Sequence, residues 1–178
     1  MAIPNRVPGA LAASMRPRST AVYPDEALRA IYARTSTIAM VGASPNWNRP
    51  SYFVMRYLQR KGFRVIPVNP RALDVPILGE EVYPDLESIP MPIDVVDVFR
   101  KPEDVPDIAR SAAAIGAKVL WLQLGITSPE AGTIAGLAGL TFIEDHCMKI
   151  EYGRLSGELA WSGVNTRILS SRRGSALR

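Results

Sequence analysis

The chain has one cysteine and one histidine in 178 residues. A lone cysteine closes no internal disulfide, so a disulfide scaffold is excluded and a reducing cytoplasm is the expected setting. His146 and Cys147 are adjacent, and one of each makes an incomplete metal site without further converging ligands. No apolar run reaches the roughly 18 residues of a membrane span, so no membrane partner is expected. The first twenty residues lack the compact apolar core of a signal peptide and carry Pro4 and Pro8 instead, which reads as a flexible arm. Neither end holds an acid: residues 1–20 carry three arginines and residues 163–178 carry four. Those seven exceed the whole net charge of +4, so the body between them is acidic by three. Basic ends on a mildly acidic body, with no aromatics interleaved among the cations, are not a nucleic-acid footprint, and no nucleic-acid partner is expected.

What is present is alternation. Apolar runs at "TIAMV", "FRVIPV", "IDVVDVF", "AKVLWLQ" and "LTFIED" read as five strands, with helical patterns between them. A further helix, "YPDEALRAIYART", precedes the first strand, and "ILGEEVY" reads as a short edge hairpin. This implies an α/β fold, a Rossmann-like doubly wound parallel five-stranded sheet with helices on both faces. The expected strand order is 3-2-1-4-5, with a ligand crevice where the order reverses, beside strands one and four. The chain divides as a flexible arm over residues 1–20, one domain over 21–152, and an irregular basic extension over 153–178.

"TIAMVGASPNWNRPSY" carries the chemistry. Gly42 closes the first strand and permits a sharp turn, and Ala43 and Ser44 keep a ligand's approach to the main chain open. Amides of such a turn and of the helix after it face an anion, aided by the helix dipole. Ser44 and Ser51 offer hydroxyl donors and Arg49 a charge. The second and third glycines of a dinucleotide fingerprint are absent, with Ser44 and Trp47 in their places. Valine at position 42 is expected to block the ligand and spare the fold.

The second strand ends in "NPRALD". Asn69, Pro70 and Arg71 stand where an NAD site places a carboxylate for the ribose hydroxyls. A guanidinium there suits a ribose phosphate instead, which is found at the 3′ oxygen of coenzyme A and the 2′ oxygen of NADP. Both ligands remain open at this point. No catalytic set emerges: adjacent side chains such as His146 and Cys147 tend to diverge.

The segments "IAMVGAS" with "RPSY", "GFRVIPVNP", "ILGEEVYPDL", "DVVDVFRKPEDVP", "GAKVLWLQLG" and "EDHCMKIEY" resemble the stand-alone CoA-binding proteins, which are similar to the N-terminal domain of the succinyl-CoA synthetase alpha subunit. The resemblance covers about Asp25 to Tyr152. It implies coenzyme A or an acyl-CoA as ligand, with Gly42, Ala43 and Ser44 at the pyrophosphate. Asn69, Pro70 and Arg71 would lie near the adenosine and its 3′-phosphate. Val98, Phe99 and Arg100 would wall the adenine side, and Gln123, Leu124 and Gly125 would face the pantetheine arm. His146 stands where the family pattern has arginine, so no role passes to it. Since no catalytic set emerges, binding without catalysis is the leading expectation, with an NADP-binding oxidoreductase or redox sensor using the same crevice as the alternative. The resemblance leaves room for a protein partner without identifying one.

Overall fold

The computed structural model describes residues 22–157. Five strands run through them: β1 (Thr37–Val41), β2 (Arg64–Val68), β3 (Val95–Val98), β4 (Val119–Leu122) and β5 (Thr141–Ile143). The helices are α1 (Asp25–Arg34), α2 (Pro50–Arg60), α3 (Val105–Ala114), α4 (Pro129–Leu137) and α5 (Met148–Leu155). A 3₁₀ turn over Pro102–Asp104 leads into α3. Among the described residues no helix is long and apolar enough to cross a membrane.

All strand pairs are parallel, and alternate residues of each strand serve opposite faces. Ile38, Met40, Val65, Val95 and Trp121 pack with α1, α2 and α5. Ala39, Ile66, Val96, Val98, Leu120 and Leu122 pack with α3, α4 and the connection bearing Leu86, Ile89 and Ile93. Strands covered on both sides must be apolar throughout, which is why β3 and β4 are buried at every position. The fold class is therefore the α/β Rossmann-like arrangement expected from the alternation.

The strand order differs from the expected 3-2-1-4-5: it is β2-β1-β3-β4-β5, with β3 between β1 and β4. Two features enforce this. Pro67 lies in β2 and has no N–H for a ladder, which confines its strand to an edge. Its carbonyl accepts from Tyr83 N at 3.0 Å, and Tyr83 also bridges Val68, so this short contact occupies the outer side of β2. The order then reverses between β1 and β3, and the crevice moves there from its expected place beside β4. The hairpin expected at "ILGEEVY" survives as one bridge between Ile77 and Glu80.

At the C-terminal boundary, α5 continues to Leu155, past the expected limit at residue 152. Met148, Tyr152 and Leu155 are buried at i, i+4 and i+7 spacing, and Tyr152 meets Tyr32 and Phe63 edge-on. The N-terminal arm (1–20), and the basic extension beyond 157, lie outside the described residues.

At the point where the order reverses, two main chains nearly touch. Gly42 has φ +86°, and a Cβ placed on it would lie 2.5 Å from the carbonyl oxygen of Phe99 and 3.0 Å from Cδ of Arg100. A side chain there meets both an unfavourable dihedral and rigid backbone. Valine at 42 therefore cannot spare the fold. Gly42→Ala is expected to lower stability by more than about 1 kcal/mol, read as a shift of the urea midpoint.

Inside β3, Asp97 is fully buried. Its Oδ1 accepts from Gln123 Nε2 at 2.7 Å, and its Oδ2 has no partner among the described residues. Burial raises its pKa from 3.8 to about 7, opposed by the Gln123 hydrogen bond and by the Val98 amide. Below pH 4 the carboxyl is neutral folded and unfolded. Between pH 4 and 7 only the unfolded chain ionises, so Asp97 lowers stability as pH rises and its effect levels off above about 7. Urea melts across that window are expected to show Asp97→Asn gaining on the wild type by about 4 kcal/mol. Parallel stability curves for the two proteins would contradict this.

Candidate functional site

The end of β1 is pinned before any ligand is considered. Gly42 N donates to Val68 O at 2.9 Å, and Phe99 N donates to Val41 O at 2.8 Å. The Gly42 amide is thus spent within the sheet, and its contribution to the turn is shape. The next two amides differ: those of Ala43 and Ser44 donate to nothing among the described residues.

Asparagines and serines then shape the loop. Ser44 Oγ accepts from Asn46 N at 3.2 Å and Asn46 Oδ1 accepts from Asn48 N at 2.9 Å, two successive side-chain turns that lead into α2. Arg49 occupies the N-cap position with no capping bond, and the first turn of α2 has no acid. Its positive end is left uncompensated there, whereas α1 and α4 carry acids in their first turns. Ser51 is buried in the first turn of α2, while Arg49 and Trp47 are exposed.

Asn69 ties this loop to the end of β2. Its Nδ2 donates to Ala43 O at 2.7 Å, its Oδ1 accepts from Arg71 N at 3.0 Å, and its own amide donates to Tyr83 O at 2.9 Å. Its carboxamide thus ties the Gly-Ala-Ser turn to the chain that follows β2, and its main-chain amide ties in the returning chain. Arg71 is exposed, and its guanidinium has no partner among the described residues.

These parts border a cavity of about 350 Å³. Its floor is Val41 and Val68, the last residues of β1 and β2. Gly42, Asn69, Pro70, Arg71 and Arg100 of the expected set line it. Residues that the sequence reading did not single out complete it: Pro84 to Glu87 from the β2–β3 connection, Asp104, and Asp107, Ile108 and Ser111 of α3. Their signal was weak, because turn-rich "YPDLES" and an amphipathic helix face have many other uses.

The remaining expected residues do not line this cavity. Ala43 is buried, and Ser44, Arg49 and Ser51 stand on the neighbouring β1–α2 loop and helix start. Val98 is in the core on the α3 side, and Phe99 packs towards the opposite face. Gln123 is buried with its amide turned to Asp97, while Leu124 is 58% exposed. Gly125 N donates to Asp145 Oδ1 at 2.6 Å, which holds the β4–α4 turn open at the same sheet edge. Ser128 caps α4 by accepting from Ala131 N, and Glu144 accepts from the Ser128 amide.

His146 and Cys147 lie beyond β5. His146 Nδ1 is 2.7 Å from Glu144 O, its ring meets Tyr23 edge-on, and its carbonyl accepts from Trp121 Nε1 at 2.6 Å. The Cys147 thiol is pushed up in pKa by burial, which keeps it in the unreactive protonated form.

Residues 36–153 match the family model described as CoA binding domain. The uncharacterized protein YneT of Bacillus subtilis strain 168 is 35% identical over 125 residues, which span 70% of this chain and 91% of that protein. A protein of Pyrococcus horikoshii OT3 superposes with a TM-score of 0.74 at 39% identity, covering 79% of this chain and 97% of that one. A dinucleotide-forming acetyl-coenzyme A synthetase 1 of Ca. Korarchaeum cryptofilum superposes with a TM-score of 0.52 at 25% identity, over 60% of this chain but 25% of that one. The chain belongs to the CoA-binding domain family.

Proposed function

We propose that the protein binds coenzyme A or an acyl-CoA at the β1–β3 reversal, without chemistry of its own. The observation that carries this reading is a set of unsatisfied donors at the strand ends, some lining the cavity and some on the loop beside it. The Ala43 and Ser44 amides, the acid-free start of α2 and the unpartnered Arg71 all border the same sheet edge. A diphosphate suits the amides and the helix end, and a ribose phosphate suits Arg71.

A cavity of about 350 Å³ is at the small end of ligand sites, roughly 300 to 1,000 Å³. On this reading it holds the nucleotide end of the ligand, and the pantetheine arm runs outside it, toward Leu124 and Gly125. A site that holds the carrier and leaves its thiol outside suits a module that senses CoA or presents it to another protein.

Thermal melts with CoA, acetyl-CoA, NADP and NAD test the reading directly. Ligand at a hundred times its dissociation constant is expected to add about 2.7 kcal/mol of stability, seen with CoA or acetyl-CoA and not with NAD. A shift with NADP alone would replace the proposal with the redox alternative. The arginine has its own test. Arg71→Ala is expected to weaken CoA about tenfold and dephospho-CoA much less, as measured by calorimetric titration. Equal losses for the two ligands would remove the 3′-phosphate from that position.

A further inference from the structure

Arg100 and Asp104 form an ion pair, four residues apart, at the cavity. Arg100 leaves the end of β3, and its Cδ lies 3.0 Å from the point where a Gly42 Cβ would stand, so its side chain crosses the phosphate-type turn. Its Nε and one terminal nitrogen both meet the same oxygen of Asp104, at 3.0 and 2.8 Å. Both side chains are 40% exposed, and both line the cavity.

Asp104 occupies the N-cap position of α3, where an aspartate ordinarily accepts from an amide of the first turn. It makes no such bond. Its backbone is already helical, at φ −83° and ψ −16°, because the 3₁₀ turn leads directly into α3. The carboxylate is instead committed to the one arginine that overhangs Gly42.

We infer that Asp104 is an affinity-setting counter-charge: it holds Arg100 in the free protein and must yield that guanidinium to the ligand's phosphate. This rests on the reading of the cavity as the nucleotide site. An incoming diphosphate competes with Asp104 for Arg100 and then faces the released carboxylate as a like charge. Asp104 therefore weakens binding of anionic ligands and limits occupancy to higher ligand concentrations. A preorganising role has the opposite consequence, since a carboxylate that aims Arg100 at the ligand strengthens binding.

Calorimetric titration of CoA into the wild type, Asp104→Asn, Arg100→Ala and the double variant decides between them. Asp104→Asn is expected to tighten CoA about five- to tenfold. In the Arg100→Ala background the same change is expected to gain less than about twofold, because no guanidinium is left to release. Asp104→Ser serves as a second substitution with the same expected direction. Unchanged or weaker binding in Asp104→Asn and Asp104→Ser, with normal CoA binding by the wild type, would overturn the counter-charge and leave the site standing. A gain of equal size with and without Arg100 would also overturn it. Absence of CoA binding by the wild type would overturn the site itself and this inference with it.

Discussion

The contact on which the site depends is between two backbones. At the end of β1 the chain passes so close to Phe99 that the carbonyl oxygen occupies the space a Cβ would need, and Gly42 turns there with positive φ. Everything at the reversal point is positioned from this crossing. The amides of Ala43 and Ser44, which follow it, find no carbonyl among the described residues. The crossing brings the residue after Phe99, Arg100, across the same turn. It also leaves Gly42 N bonded to β2 rather than to a ligand. The glycine is demanded by the protein's own main chain, and any ligand inherits the result.

Asn69 transmits that geometry sideways. Three hydrogen bonds from one residue link Ala43, Arg71 and Tyr83, which belong to three separate segments. The order of the sheet makes this possible, since β2 lies beside β1 and its end meets the β1–α2 loop at short range. A loop fixed by side-chain hydrogen bonds loses less entropy when a ligand arrives than one ordered by the ligand itself. The opposite face of the sheet holds a different kind of polar group. Asp97 sits in the core with one satisfied oxygen, and its partner Gln123 is drawn inward and away from solvent. The same carboxyl that is costly in the core therefore fixes the residue that opens the β4–α4 turn.

Much of this was legible in the residues. The five apolar runs, the parallel sheet, the Gly-Ala-Ser turn and the arginine after β2 follow from periodicity and residue type. Strand order was not read correctly, although Pro67 carried the signal: a proline inside a strand marks an edge, and the order 3-2-1-4-5 would have placed it in the interior. The last helix was missed because Gly153, Ser156 and Gly157 obscured the spacing of Met148, Tyr152 and Leu155. Gln123 was assigned outward by position alone, and only the buried Asp97 beside it explains why it turns in. The acidic half of the cavity was invisible for a different reason. Asp85, Glu87, Asp104 and Asp107 are distributed over two segments that only the β2–β3 connection brings together.

That acidic half determines how the site handles charge. Of its four carboxylates, Asp85 accepts from the Ser88 amide and hydroxyl, Asp104 holds Arg100, and Asp107 reaches Arg110. Of its two cations, Arg100 is matched and Arg71 is not. For a phosphate ligand the two arginines are therefore unequal. Contact with Arg100 exchanges one carboxylate–guanidinium pair for a phosphate–guanidinium pair, and the net gain is the small difference between two charge-assisted bonds. Contact with Arg71, or with the Ala43 and Ser44 amides, displaces only water. On the proposed reading the favourable part of binding then comes from the turn and from Arg71, while Arg100 contributes through the strength of its competitor. The fold-determining glycine, the donors and the counter-charge are on that reading separate residues, so affinity can change at position 104 without disturbing the turn.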